Sequence, residues 1–356
     1  MGLSSPTSRT ITYDGIQAHA LATWYFKQEG VIDNVFGPFT AWRETMKRIR
    51  TVNHPGGERG TFAVRLDLDA VDPSYSGYGS VDTTVPNMDS VAHFPFAEYF
   101  VPVGQSFQER DLVRGEQAIA RDWVIKMEQA QQRMNYNQNI HWYGDGTGNS
   151  SQRYIGMAAW VDDAPTTGTV AGINRANVTG WRNQTITNST VITLMADLTT
   201  LLTSCRQGYM GRGPDFAITN QVLRNQLEGR AQYTTTTATY TSYLTDVKSG
   251  DSGKPGTGRT ADFGFGRCAY YGIPVMEDPD YTVWGGSGAT EGEGVFLNSD
   301  SFRWINCIEN PTVGGLLEFV DPERAIGQTA KVGGLRMHGQ LVCVEPRTNG
   351  IILDVS

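Results

Sequence analysis

Gly115-Glu116-Gln117-Ala118-Ile119-Ala120-Arg121-Asp122-Trp123 begins a proline-free stretch that runs to Tyr143 and ends in Gly144-Asp145-Gly146-Thr147-Gly148-Asn149. Within it Ile119, Trp123, Met127, Ala130 and Met134 recur at spacings of four, four, three and four. Arg121, Asp122, Lys126, Glu128, Gln131, Gln132 and Arg133 fall mostly off that stripe. One apolar stripe at this period predicts an amphipathic helix, taken here as 111–143. Thirty-odd residues at ~1.5 Å each make about 50 Å, longer than an ordinary globular helix. The glycine run is a string of turn formers and stops it.

The residues just before this helix behave differently. Residues 51–110 have no helical period and hold Pro55, Pro73, Pro86, Pro95 and Pro102. Runs at 61–66 and 94–103 read as strands, and Asp72-Pro73-Ser74-Tyr75-Ser76-Gly77-Tyr78-Gly79-Ser80 between them is rich in turn formers and tyrosine. Three basic residues (Arg59, Arg65, Arg110) face eight acidic ones (Glu58, Asp67, Asp69, Asp72, Asp82, Asp89, Glu98, Glu109). So long a proline-interrupted, two-stranded segment cannot form its own core. It reads as a two-stranded excursion that lies on something else, a first sign of obligate assembly.

Residues 1–50 read as an arm with short helical pieces at 18–26 and 41–49. The second piece carries Arg43, Lys47 and Arg48, with Arg50 just after it. A solvated helix face, an acidic neighbour and nucleic acid all fit these cations. The C-terminal half mixes helix and strand. A helix is expected at 191–205, and a strand at 215–218 leads into a helix capped by Thr219 or Asn220. A Thr/Tyr-rich strand region at 233–244 precedes a glycine-rich loop at 249–259. Core strands are expected at 273–276 and 295–297, with a closing hairpin from 341–344 and 351–353.

Composition narrows the function classes. The chain has 356 residues, 29 Lys+Arg against 37 Asp+Glu for a net charge of −8, and 41 glycines without a collagen period. That length suggests about two domains, and the charge excludes a basic nucleic-acid coat. Cys205, Cys268, Cys307 and Cys343 form no C-x-x-C pair, so they are expected to be buried reduced thiols. No secretion signal or long apolar run is visible, and a soluble intracellular product is expected.

No catalytic constellation emerges. Gly144–Gly148 follows a helix, whereas a dinucleotide loop follows a strand. Ser249-Gly250-Asp251-Ser252-Gly253-Lys254-Pro255 has proline where a phosphate loop needs Ser or Thr. Gly285-Gly286-Ser287-Gly288-Ala289 is one residue short of a nucleophile elbow. His19, His54, His93, His141 and His338 fall in no zinc frame. Asp162-Asp163 and Asp67/Asp69 read as solvated loop carboxylates. Four N-x-S/T sequons, at Asn149, Asn177, Asn183 and Asn188, would matter only in a secreted protein. No catalytic residue, cofactor or metal ligand is assigned.

The order of segments resembles the tailed-bacteriophage major capsid protein family across nearly the whole chain. The likeness is carried by the helix from Gly115 to the Gly144–Gly148 turn, by Gly172-Ile173-Asn174-Arg175-Ala176 with Trp181-Arg182-Asn183, and by Thr219-Asn220-Gln221. Gly272-Ile273-Pro274-Val275-Met276-Glu277-Asp278 and the terminal strands add to it. The resemblance implies an α+β fold with an N-arm (1–50), an E-loop hairpin (51–110) and a P-domain (111–190) whose spine helix is 111–143. A mixed α/β A-domain (191–320) and C-terminal strands returning to the P-domain (321–356) complete it. It further implies hexamers and pentamers closing an icosahedral shell around double-stranded DNA, with no sequence-specific binding and no membrane. The shell would be a virion capsid assembled in the host bacterial cytoplasm.

Some members of that family join an E-loop lysine to a neighbour's asparagine, but residues 51–110 contain no lysine, so non-covalent locking is expected. The short arm implies a separate scaffolding protein, with a portal and a decoration protein as further partners. Arg43, Arg48, Arg50, Asp72, Tyr75 and Tyr78 are the expected inter-subunit residues. The same fold in an encapsulin-type nanocompartment shell is the alternative, followed by a soluble hydrolase or a tail-tube subunit.

Overall fold

The structure, a computed structural model, describes residues 40–54, 59–65, 77, 89–107, 116–187, 189–206, 211–232, 268–281, 291–308, 316–324 and 329–356. Along the chain lie α1 (Thr40–Arg48), β1 (Arg50–Asn53), β2 (Arg59–Arg65), β3 (Asp89–Pro95), β4 (Ala97–Ser106) and α2 (Glu116–Trp142). Next come β5 (Thr169–Val170), β6 (Ile173–Asn174), β7 (Gln184–Ile186), α3 (Leu194–Cys205), β8 (Phe216–Thr219) and α4 (Gln221–Gln232). The last strands are β9 (Cys268–Tyr270), β10 (Ile273–Glu277), β11 (Gly292–Leu297), β12 (Phe302–Asn306), β13 (Glu318–Glu323), β14 (Ala330–Cys343) and β15 (Gly350–Val355). Among the described residues no helix is long and apolar enough to cross a membrane.

The chain divides into two units. The described part of one comes from Tyr99–Tyr136 and Asn310–Met337. Its strands are β4 and β13, both paired with the first half of β14; the β13 ladder sets Glu318 opposite Arg336 and Val320 opposite Gly334. The long helix covers one face of this sheet. Trp123 Nε1 donates to Gln105 Oε1 at 3.1 Å, and Ala130, Met134, Val101, Val103 and Leu335 are buried. From Trp123 to Met134 the expected stripe is therefore the packed face of α2. The described helix has 27 residues, about 40 Å at ~1.5 Å per residue. The opposite face of the sheet leaves Phe100 49% and Val332 38% exposed, where a solvated antiparallel face ordinarily turns polar.

The second unit comprises Gly37–Glu98, Asn137–Glu309 and His338–Ser356. Its main sheet runs β7-β15-β11-β8-β10-β9, with β8 parallel to β10 and β11 antiparallel to both β8 and β15. Every residue of β8 and β11 is buried, as expected for strands covered on both faces. Leu194, Leu198, Leu201, Leu202 and Cys205 of α3 and Leu223 and Leu227 of α4 supply the helical side of that core. Asn220, and not Thr219, caps α4: its Oδ1 accepts from the Leu223 amide at 2.9 Å, while Nδ2 donates to Glu291 O at 2.7 Å.

The expected closing hairpin is corrected by the structure. In this unit the second half of β14 pairs with β12, which pairs in parallel with β1, whereas β15 lies between β11 and β7 in the other sheet. A short 3₁₀ turn at Pro346–Thr348 moves the chain between sheets. Asn349 fixes that crossing. Its Oδ1 accepts from the Asn298 amide at 2.8 Å, and Nδ2 donates to Ser301 Oγ at 3.0 Å and Glu345 O at 3.2 Å.

The excursion is two-stranded where it is described, but its second strand is 89–95; the run expected at 94–103 is mostly β4, which pairs with β14 instead. β2 and β3 pair antiparallel without a register break from Arg59–Pro95 to Arg65–Asp89. Its base rests on its own chain. The ring of Phe94 covers Gly60, Phe62 lies 6.3 Å from the Trp181 ring, and the His93 amide donates to Ala171 O at 2.9 Å. Ala171 and Gly172, at φ 53° and 81°, form the two-residue turn between β5 and β6, the positive-φ hairpin turn that favours glycine at its second position. Tyr75, Tyr78 and Asp72, together with the 18–26, 233–244 and 249–259 readings, lie outside the described residues.

A Cβ on Gly172 would fall 2.0 Å from His93 Cε1, whereas one on Gly168, at φ +85°, meets nothing within 4 Å. Gly172→Ala should therefore lose about 1–3 kcal/mol more than Gly168→Ala in urea unfolding. Equal losses would mean that the hairpin base is not seated there.

Candidate functional site: the arm junction and hairpin seat

Two polar junctions stand out in the second unit: where α1 enters it and where the β2–β3 excursion is seated. The first junction is α1, buried through Ala41, Trp42 and Thr45. Its Trp42 ring packs edge-on to Trp304 at 5.4 Å and near Tyr154 at 6.0 Å. The first amides of a helix have no intrahelical partner. Here the Ala41 amide donates to Asp278 Oδ2 at 3.0 Å, and the Trp42 amide to Asn139 Oδ1 at 2.9 Å. The same Asp278 oxygen accepts from Asn139 Nδ2 at 3.1 Å and Tyr143 OH at 2.7 Å, while Oδ1 accepts from the Asp280 amide at 3.1 Å. Asp278 is 1% exposed, so one buried carboxylate ties α1, the end of α2 and the loop after β10 together. Burial, with Asp278 adding to it, pushes the Tyr143 hydroxyl well above its ordinary pKa and keeps it a donor.

The outer face of α1 is basic. Glu44 takes Arg43 at 3.3 Å, Lys47 at 2.9 Å and Arg48 at 2.7 Å. Burial alone would raise the Glu44 pKa, but hydrogen bonds and charge from Lys47 and Arg48 outweigh it and hold it at about 2. Arg48 also lies over the Phe216 ring at 5.2 Å, so its guanidinium is engaged within its own chain. Arg43 and Arg50 are exposed.

The hairpin seat is held by a second polar lock. Arg175 is fully buried; it donates to Asp162 Oδ2 at 2.8 Å, to Trp160 O at 3.1 Å and to Ala159 O. Asp162 is thus the partner of a buried cation, which corrects its reading as a solvated loop carboxylate. Arg182 Nε donates to Arg175 O at 2.7 Å, and the Asn183 side chain bonds both the amide and the carbonyl of Asp162, at 3.1 and 2.8 Å. Two stretches singled out in the sequence, Gly172–Ala176 and Trp181–Asn183, are thereby one interlocked support under the hairpin.

Reactive groups are muted where they are described. Burial pushes the Cys205 and Cys343 thiols up to about 12 and Cys307 up to about 11, far from the depressed range of a nucleophilic cysteine. Among the described residues no three His, Cys, Asp or Glu side chains are grouped to hold a metal.

No family model and no curated protein matches the sequence. Solved structures do match. A cyanophage A-1(L) capsid subunit aligns with a TM-score of 0.61 at 14% identity, over 92% of this chain and 96% of its own. The capsid protein of a native GTA particle aligns at 0.54 and 9% identity, over 92% and 94%. The SrpI encapsulin of Synechococcus elongatus aligns at 0.53 and 12% identity, over 95% and 96%. The chain has the tailed-phage major capsid fold, shared with encapsulins.

Removing the Asp278 carboxylate would leave the Ala41 amide, Asn139 and Tyr143 without their acceptor. Asp278→Ala should cost about 3 kcal/mol or more in urea unfolding, against about 0.5 kcal/mol for an exposed control such as Glu128→Ala. A small loss at Asp278 would dismiss it as the tie.

Acid should act in two windows. Burial, reinforced by the Arg153 charge, lowers His141 from 6.5 to about 4, and Glu44 falls from 4.5 to about 2. In each window the unfolded chain binds more protons than the folded one, so stability falls as pH falls. The first loss is expected between pH 6.5 and about 4 and the second between 4.5 and about 2. His141→Gln should flatten the first and Glu44→Gln the second in urea midpoints measured against pH.

Proposed function

We propose that this chain is a major capsid protein that self-assembles into hexamers and pentamers, which close an icosahedral shell around the double-stranded DNA of a tailed phage. The observation that carries the reading is the fold, aligned over more than nine-tenths of both this chain and capsid subunits. Physical features of the chain support it. The excursion has an anchored base and a distal segment that carries four aspartates and no Lys, Arg or His. The arm enters through a helix whose first amides are fixed from other parts of the sequence. Neither device serves a small-molecule site, and both suit contacts between copies.

In this reading residues 1–50 are the arm, 51–110 the excursion that crosses to a neighbour, and 111–190 the P-domain. Residues 191–320 form the A-domain and 321–356 the closing strands. Arg43, Arg50, Asp72, Tyr75 and Tyr78 are proposed contacts between copies, with Arg48 in a supporting position because Glu44 and Phe216 hold it. A separate scaffolding protein, a portal and a decoration protein fit the same scheme, as does assembly in the host cytoplasm. The encapsulin match keeps a protein-filled nanocompartment as the second reading.

Size decides first. Expressed alone, the chain should give closed particles tens of nanometres wide, or rings of five or six, by light scattering and negative stain. A stable 39.1 kDa monomer would remove the shell reading. Nuclease-protected DNA inside native particles separates the phage capsid from the nanocompartment. With no lysine in 51–110, boiled particles should run as single chains on a denaturing gel. A covalent ladder that depends on lysine would contradict the non-covalent lock.

A further inference from the structure

β1 and β12 are parallel neighbours, and their register sets Arg50 directly opposite Arg303. Opposite residues of a ladder project to the same face, and the strands lie about 4.8 Å apart. Both arginines are exposed. Among the described residues neither has a salt bridge, although ion pairs occupy Arg43, Lys47 and Arg48 close by in sequence. Like charges placed directly opposite destabilise a ladder. A bridging anion removes that cost, since each guanidinium offers a planar fork suited to a carboxylate.

The source of the anion follows from charge and reach. Residues 66–88 contain Asp67, Asp69, Asp72 and Asp82 and no Lys, Arg or His. β2 and β3 carry that segment from the far end of a ladder of seven unbroken pairs, whose near end is anchored at Gly60 and Phe94. The acidic segment therefore starts about 20 Å from its anchor, at ~3.3 Å per residue. Its 23 residues, as two extended arms, could add at most about 40 Å. A segment with that reach can meet a second molecule. Here we infer that the Arg50–Arg303 pair is a carboxylate clamp for residues 66–88 of a second copy of this chain. The inference rests on the shell reading and names the acceptor for one of its contacts.

A charge swap in the full-length chain tests it, with shell yield read by light scattering and negative stain and folding read by circular dichroism. Arg50→Glu with Arg303→Glu should lower the yield about tenfold or more while the subunit stays folded. Asp67→Lys, Asp69→Lys, Asp72→Lys and Asp82→Lys together should do the same. Combining the two sets should restore most of the yield. Wild-type yield from either set alone, or no recovery when folded sets are combined, overturns the clamp. Normal shells that lose only their DNA also overturn it and assign the pair to nucleic acid.

Should the reversed arginines unfold the chain, Arg50→Gln with Arg303→Gln is read instead. Its shells should come apart at lower salt than the wild type, and an unchanged salt curve overturns the clamp. Failure of the wild-type chain to form shells or rings is a different result, since it removes the shell reading itself.

Discussion

A single buried oxygen, Asp278 Oδ2, accepts hydrogen bonds from the first turn of α1, from Asn139 in the last turns of α2 and from Tyr143 just beyond it. Its backbone amide donates to Thr219 O at the end of β8, extending the β8–β10 ladder by one bond. No cation among the described residues forms a salt bridge with Asp278, so neutral donors and the helix N-terminus carry the cost of burying the charge. Such an arrangement adds less to stability than to uniqueness. Any shift of α1, of the α2 terminus or of the β10 loop leaves donors unpaired in a dry site. The path by which the chain enters this unit depends on that condition.

The same principle recurs at the other two crossings. Arg175 is buried under the hairpin seat, where its two terminal nitrogens bond Asp162 and two carbonyls, and Asn349 is buried where the chain leaves one sheet for the other. Each is a polar group at a change of direction, surrounded by apolar elements that pack without directional preference. The hydrophobic core around Leu198, Leu202, Phe296 and Ile352 holds the unit together. The polar locks decide which of several compact arrangements it takes.

Periodicity made much of this legible. The stripe through Trp123, Met127, Ala130 and Met134 is the packed face of α2, and the proline-rich region before it contains the two-stranded hairpin. Period-based reading also placed β8, β10 and β11 within a residue or three. It failed where the information is non-local. Residues 341–344 and 351–353 look like hairpin partners because both are apolar and close in sequence, yet Asn349 and the Pro346–Thr348 turn route them into different sheets. Asp162-Asp163 looks like a solvated loop because Arg175 lies thirteen residues away. Asp278 ends the Gly272–Asp278 stretch of the resemblance, but its role as the tie is invisible there, since Ala41 is 237 residues distant. Arg50 was legible as a cation, but its position opposite Arg303 depends on strand register, which no composition encodes.

On the proposed shell reading, these polar locks have a reason in assembly. In a soluble monomer a few degrees of error in how an arm or hairpin leaves the body has little consequence. In a shell of repeated copies the same error enters every interface, and closure fails if it accumulates. Stability from burial alone does not prevent this, because apolar contacts tolerate sliding and repacking. Buried hydrogen-bonded groups do, because their energy depends on distance and angle. On that reading, Asp278 at the α1 junction, the Arg175 lock at the hairpin seat and Gly172 against His93 are where direction must be fixed. At those points direction matters more than affinity. Contacts between copies can then remain individually weak and reversible, as error correction during assembly requires, since the geometry they read is already fixed within each copy.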